Sequence, residues 1–180
     1  MSRGLVLASA SPQRRAILEQ AGIPFTVVPP GVDELDAGDP LYVAEENARR
    51  KALAIPGDLV LGADTDVALD GEILGKPRDA SHARELIGRL NGRTHEVVGG
   101  IALARGGVIV DWAVEITWVT FRESDAATLD AYVATGEWEG RAGGYAIQGE
   151  GAALVATIDG DYLNVVGLPL ERLKMLLAIS

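Results

Sequence analysis

Cysteine is absent from the 180 residues. Disulfides, thiolate metal sites and a cysteine nucleophile are therefore excluded, and a reducing compartment suits the chain. No apolar run approaches the ~20 residues that a bilayer-spanning helix needs, and the first residues lack a secretory signal pattern. The expectation is a soluble, cytoplasmic protein with no membrane partner. Excess positive charge is missing too. Lys and Arg number 16 against 26 Asp and Glu, a formal net charge of −10, which argues against nucleic acid as a partner. There is no G-x-S-x-G nucleophile elbow. The only histidines, His82 and His95, lack metal-ligand spacing and are expected on a helix surface and in a strand.

Apolar residues make up 48% of the chain and charged ones 23%, so a packed core is feasible and disorder is not expected. The length suits one domain, or two small lobes sharing a core. No repeat, linker or low-complexity tract divides it, so residues 1–180 read as a single domain.

Strands and helices interleave. Leu5 to Ala8 reads as a strand; Ser11 caps a helix with Pro12 in its first position, and Gly22 closes it. Phe25 to Val28 reads as a strand and Pro29 to Pro40 as an acidic loop. A helix follows over Leu41 to Ala54, with Ala44, Ala48 and Ala52 on one stripe. Asp58 to Pro77 holds an apolar strand and a hairpin turning at Asp70-Gly71. Asp79 caps a helix to Leu90. Thr94 to Ala104 and Val108 to Phe121 are long β-like stretches, and Ser124 is the expected cap of the next helix. A glycine-rich loop, a strand, a turn at Asp159-Gly160 and a helix opening at Pro169 complete the chain. Hairpins among the alternating elements predict α/β or α+β with a mixed sheet.

Three segments could carry chemistry. In "LVLASASPQRRAIL", Arg14 and Arg15 stand in the first turn of a helix, where the dipole disfavours cations. A phosphate held by the helix N–H groups, Ser9 and Ser11 would reconcile this, since arginine forks onto phosphate oxygens. Alternatively, Ser11 only caps and both arginines turn to water. Further cations, Arg49, Arg50, Lys51, Lys76 and Arg78, also lie in the first half, where folding would gather them or leave them as scattered solvated charge. In "LVLGADTD" an apolar strand delivers Asp64 to its C-terminal end, where a carboxylate could hold Mg²⁺ or take a proton from water; a turn aspartate bonded to local backbone is the alternative. Asp64 with Asp66 also loosely resembles the aspartate pair of haloacid-dehalogenase-type phosphatases. "GEILGKP" is not a P-loop, with three residues between Gly71 and Gly75 and Pro77 at the metal-binding position; Lys76 could still meet phosphate as a point charge. Glu34 is either a second metal carboxylate or a solvated loop residue. The glycines at 143, 144, 149 and 151 either admit a flat ligand or mark a mobile loop.

Taken together, "LASASPQRRAIL", "ENARRKA", "LGADTDVALDGEILGKP", "AGGYAIQG" and "NVVGLPL" resemble, in this order, the Maf family of nucleoside triphosphate pyrophosphatases, relatives of the inosine-triphosphate pyrophosphatases. The resemblance implies a mixed, strongly bent sheet flanked by helices in two lobes around a cleft, and a homodimer. It implies hydrolysis of the α–β phosphoanhydride of a nucleoside triphosphate with Mg²⁺, or Mn²⁺ or Co²⁺ in its place. By motif position, Asp64 is the implied proton acceptor and Glu34 a carboxylate on the metal, which Asp64 would share. Ser9, Arg14, Lys51 and Lys76 match phosphate-side residues, with Ser11 beside them, and Thr65 and Gln148 match positions that sort bases. "AGGYAIQG" resembles the branch acting on dTTP and UTP rather than that acting on 7-methyl-GTP. Many members read "SPRR", so Gln13 replaces an arginine at a position tied to base choice. A non-enzymatic nucleotide-binding regulator of cell division is the alternative reading.

Overall fold

The computed structural model describes residues 4–179. The elements are β1 (Leu5–Ala8), α1 (Pro12–Gln20), β2 (Phe25–Val27), α2 (Pro40–Ala54), β3 (Leu59–Leu69), β4 (Glu72–Leu74), α3 (Ala80–Leu90), β5 (Thr94–Arg105), β6 (Val108–Phe121), α4 (Ala126–Ala134), β7 (Val155–Asp159), α5 (Tyr162–Val166) and α6 (Leu170–Ile179). Two 3₁₀ turns, Ala142–Gly144 and Glu150–Leu154, punctuate the glycine-rich loop.

One mixed sheet runs in the order β2-β1-β3-β5-β6-β7, with β4 beside β3. β1 is parallel to β2 and β3, and the remaining pairs are antiparallel. The edge of β3 is the feature that matters for function. β5 accompanies β3 from Val60 to Ala68 on one side. On the other side β1 stops at Ala8↔Gly62, and β4 begins only at Val67↔Leu74. Residues 63–66 therefore have a strand on one side alone, and the sheet is forked there.

Side chains alternate across a strand, so the fork divides the core as well. On one face, Leu61, Ala63, Ile101 and Leu103 join β1, α1 and α6 in one apolar cluster. Val67, Leu69 and Val97 of the same face join α3, Tyr132 and Leu154 in another. Thr65 lies between the two and belongs to neither. These clusters are the physical content of two lobes on a shared sheet.

α2 covers the opposite face. Asp39 caps it, accepting from the Tyr42 N–H at 3.0 Å, and Pro40 occupies its first turn. Its buried side is Val43, Ala44, Asn47, Ala48, Lys51 and Ala52. The alanines let the helix lie almost on the sheet backbone, and the strands answer with glycine. A Cβ on Gly62 would collide with the Ala48 carbonyl and stand 2.6 Å from the Ala52 nitrogen, and one on Gly100 would collide with the Ala44 carbonyl.

The structure differs from the sequence reading in three local respects, and follows the solvated-charge alternative for three arginines. Asp64 is in the middle of β3 rather than at its end, because pairing with β5 carries the strand on to Leu69. Asp125, not Ser124, caps α4, accepting from the Thr128 N–H at 2.8 Å. The short helix α5 was not expected; Asp161 caps it through the Leu163 N–H at 2.8 Å. Arg15, Arg49 and Arg50 face outward and pair with Glu19, Glu45 and Glu46 four residues away along their helices, as surface charge. The Asp70-Gly71 hairpin is present with positive φ at both residues (51° and 81°), as a type I′ turn requires.

Overpacking a tight contact typically costs about 1–3 kcal/mol, and backbone is the obstacle here. Gly62→Ala should destabilise the fold by about 3 kcal/mol or more. Urea unfolding monitored by circular dichroism checks this; an unchanged midpoint would show that α2 has room to move.

Candidate active site

A cavity of about 700 Å³ opens along the fork in the sheet. Ser9 and Ser11 reach it from the β1–α1 turn, Gln13 and Arg14 from the start of α1, Glu34 from the acidic loop, Lys51 from α2, Thr65 from β3, Lys76 from the hairpin and Gln148 from the glycine-rich loop. Asp64 is not on the wall itself but is joined to it through Lys51. Arg78 does not line the cavity.

The polar centre follows from the spacing on α2. Asn47 and Lys51 are one turn apart on its buried side, 1% and 5% exposed, so their polar atoms need partners inside the protein. Asp64, 6% exposed, projects from β3 toward them. Lys51 Nζ donates to Asp64 Oδ1 at 2.8 Å, to Glu34 Oε1 at 2.9 Å and to the Ala63 carbonyl at 3.2 Å. Asn47 Nδ2 donates to Asp64 Oδ2 at 3.0 Å and to the Leu35 carbonyl at 2.9 Å, while its Oδ1 accepts from the Leu35 N–H at 2.8 Å. Asn47 thus aims the carboxylate and ties down the loop that carries Glu34. Sequence reasoning missed it, although an asparagine one turn before a lysine on an alanine stripe was a usable signal.

Asp66, two residues along β3, shares the face of Asp64. Its Oδ2 is buried without a partner. Burial, then the charge of Asp64 and a hydrogen bond with it, push Asp66 up to about 8, against the pull of Lys51. At neutral pH Asp66 carries a proton that Asp64 can accept in a hydrogen bond.

Arg14 answers the conflict at the start of α1 in part by structure. Its Nε donates to the Gly167 carbonyl at 2.8 Å, Nη1 to Ser9 Oγ at 3.2 Å and Nη2 to Thr65 Oγ1 at 3.0 Å. Burial lowers its pKa, opposed by the charges of Asp64, Glu34 and Asp66, and an arginine still remains cationic. The carbonyl it meets is presented by α5. There Asn164, fully buried over Gly99, donates Nδ2 to the Val97 and Glu115 carbonyls at 3.1 and 3.2 Å. Thr65, on whose hydroxyl Arg14 bears, passes a further hydrogen bond to Gly167 at 3.3 Å.

The far wall is less charged. Tyr145, Ala142 and Ile147 line it over the second apolar cluster. Tyr145 Oη lies 2.6 Å from His95 Nε2, and burial pushes His95 down to about 4, so that histidine is neutral and structural. Glu137 shapes the loop bearing Gln148: it accepts from the Glu150 and Gly151 N–H groups, both at 2.9 Å. Burial raises Glu137, but these N–H groups, Tyr132 and Arg141 outweigh it and hold the carboxyl below its usual value.

For a divalent ion the donors are carboxylate oxygens, the class that Mg²⁺ prefers. No group of three or more His, Cys, Asp or Glu suited to a metal occurs among the described residues. Mg²⁺ is commonly held by one or two carboxylates together with substrate phosphates, and Glu34 and Asp64, already drawn together on one ammonium, fit that pattern.

The protonation of Asp66 has a consequence for stability in metal-free protein. A carboxyl at 3.8 when unfolded and about 8 when folded favours the unfolded state increasingly as pH rises between those values. Asp66→Asn should therefore raise the melting temperature in EDTA at pH 8 and leave it little changed at pH 4. Melting curves across that range check this, and a gain that does not grow with pH would contradict it.

The chain compares closely with known proteins. The family model described as Maf-like protein matches residues 4–179. A dTTP/UTP pyrophosphatase of Symbiobacterium thermophilum is 50% identical over 179 residues, covering 96% of this chain and 92% of that protein. One of Anaeromyxobacter dehalogenans is 47% identical over 183 residues, covering 98% and 94%. Among solved structures, a HAM1 protein from Coxiella burnetii superposes with a TM-score of 0.53 at 15% identity over 98% of this chain and 99% of that one, a likeness of fold alone. The family match over almost every residue and relatives of 47–50% identity agree: the chain belongs to the Maf family.

Proposed function

We propose that the chain is a nucleoside triphosphate pyrophosphatase that hydrolyses dTTP and UTP at the α–β phosphoanhydride, giving a nucleoside monophosphate and pyrophosphate. The observation that carries this reading is the convergence of Lys51 and Glu34 at one cavity with Ser9, Arg14 and Lys76, with Asp64 bonded to Lys51 just behind the wall. The names of the relatives, dTTP/UTP pyrophosphatase, supply the substrate class.

In this reading the triphosphate tail lies against the start of α1. The N–H groups there, Ser9, Ser11 and the remaining donors of Arg14 bind phosphate oxygens, and Lys76 adds a point charge. Charge gathers on the departing pyrophosphate, and fixed cations stabilise it where it develops. Glu34 and Asp64 would hold Mg²⁺, or Mn²⁺ or Co²⁺ in its place, which when bound screens phosphate charge and lowers the pKa of water. Asp64 accepts the proton of the attacking water; Asn47 and Lys51, each bonded to one of its oxygens, fix the direction of that carboxylate. Thr65 and Gln148 contact the sugar or base side and contribute to selection, with Gln13 nearby.

A cytoplasmic homodimer is the proposed form. Trp112 and Trp118, both exposed on one face of β6, offer apolar surface that a second copy would cover. No helix among the described residues is long and apolar enough to cross a membrane.

One experiment tests both reaction and residue. Pure protein with Mg²⁺ is incubated with dTTP, UTP, dCTP, dATP and 7-methyl-GTP, and the products are identified. Pyrophosphate and monophosphate should appear fastest from dTTP and UTP. General bases contribute typically about 10²–10⁴-fold, so Asp64→Asn should lose about 100-fold or more in kcat while keeping its circular dichroism spectrum. Release of inorganic phosphate would favour an aspartyl-phosphate route through Asp64. Tight nucleotide binding without turnover would favour a regulator instead.

A further inference from the structure

Gln13 and Arg141 meet across the cavity. Gln13 belongs to α1, whose Ile17 and Leu18 pack in the first apolar cluster; Arg141 precedes Ala142, which packs on the second. With its amide oxygen toward the arginine, Gln13 Oε1 accepts from Arg141 Nη2 at 2.6 Å and Nη1 at 2.8 Å, and its Nε2 donates to Ser11 Oγ at 3.2 Å. The opposite orientation would set an NH₂ group against two guanidinium donors. Gln13 is therefore the acceptor that positions a cation from the other lobe, not an arginine weakened to an amide.

Among the described residues Arg141 forms no ion pair, unlike Arg15, Arg49, Arg50, Arg84, Arg89, Arg93 and Arg172. It lines the cavity beside Tyr145, Ala142 and Gln148, on the apolar wall. The phosphate-side groups Ser9, Arg14, Lys51 and Lys76 come from other elements. A guanidinium has five N–H donors and no acceptor, and Gln13 occupies only some of them. A flat ligand against this wall must therefore offer Arg141 an acceptor.

We propose that Arg141 is a substrate-contacting residue that selects the base, donating to a ring carbonyl oxygen such as O4 of thymine or uracil, and that Gln13 is its positioning residue. Cytosine and adenine present an exocyclic amine, itself a donor, at the equivalent edge. Facing Arg141, that amine leaves two donors opposed and one buried group unpaired, which is the strong form of discrimination. The inference rests on the nucleotide pyrophosphatase reading and deepens it by naming the group that distinguishes keto from amino bases.

The test first confirms pyrophosphate release from dTTP by the parent enzyme, since failure there tells against the parent reading itself. Arg141→Met, Arg141→Lys, Gln13→Ala and the double variant Gln13→Ala/Arg141→Met are then assayed with dTTP, UTP, dCTP and dATP. The amino-base nucleotides are also scored as competitors of dTTP. Arg141→Met should lose about 10- to 100-fold in kcat/KM for dTTP and UTP, mostly in KM, and change less than about threefold for dCTP and dATP. Arg141→Lys keeps the charge but not the fork and should fall between. Gln13→Ala should shift the dTTP-to-dCTP ratio in the same direction by less, and the double variant should be no worse than Arg141→Met, because the two act as a unit. Equal losses with all four nucleotides would place Arg141 on the phosphates and overturn the proposal, as would an unchanged ratio in folded Arg141→Met with pyrophosphate still released. Melting temperatures of the variants identify any that fail to fold, and Arg141→Lys then decides.

Discussion

A single buried ammonium holds the site together. Lys51 Nζ draws Asp64 and Glu34, from a strand and a loop that are separate in sequence, to within 2.9 Å of one point. A buried ion pair is not in itself a source of stability, because desolvation offsets much of the attraction. Its value here is placement. Removing Lys51 or Asp64 would leave the other's charge in a place that water scarcely reaches, so these two persist together, and the exposed Glu34 joins them from the solvent side. Asn47 completes the arrangement by satisfying the second oxygen of Asp64 and both backbone groups of Leu35. The result is a carboxylate whose direction is fixed before any ligand arrives, which is what a proton acceptor or a metal ligand requires.

The backbone makes room for this cluster twice over. On one face of the sheet, alanines on α2 and glycines at 62 and 100 bring the helix close enough for Lys51 to reach Asp64. At the sheet edge, β1 ends and β4 has not begun, so residues 63–66 border a cavity instead of a strand. The same gap separates the two apolar clusters. Arg14 links Ser9, Thr65 and Gly167 beside it, and the Gln13–Arg141 contact spans it. In the proposed reading, phosphate chemistry and base selection fall to different walls of one opening.

Much of this was legible in the order of residues. Periodicity, caps and the Asp70-Gly71 turn gave the elements, and the resemblance of five motifs gave the family and the residues that line the cavity. What escaped did so for physical reasons. Arg49 and Arg50 adjoin Lys51 in sequence, yet each helical residue turns 100° from the last, so that only Lys51 faces inward. Ser124 and Asp125 are both competent caps, and their order alone does not choose. Asp66 acquires its protonation from burial and from Asp64, neither visible in a string of letters. Arg141 is 128 residues from Gln13, and only the closed fold makes them partners. Asp64 was expected at a strand end but lies within β3, since pairing with β5 sets where the strand stops.

The convergence of separated basic groups around a nucleotide tail is the central claim, and a crystal structure of Asp64→Asn with Mg²⁺ and the non-hydrolysable α,β-imido analogue of dTTP tests it most directly. The triphosphate should lie between the start of α1 and Lys51, within hydrogen-bond reach of Ser9, Arg14 and Lys76, with the ion on Glu34 and the thymine against the wall formed by Tyr145 and Arg141. A nucleotide bound elsewhere on the protein, or one whose phosphates point away from Lys51 and Glu34, would contradict it.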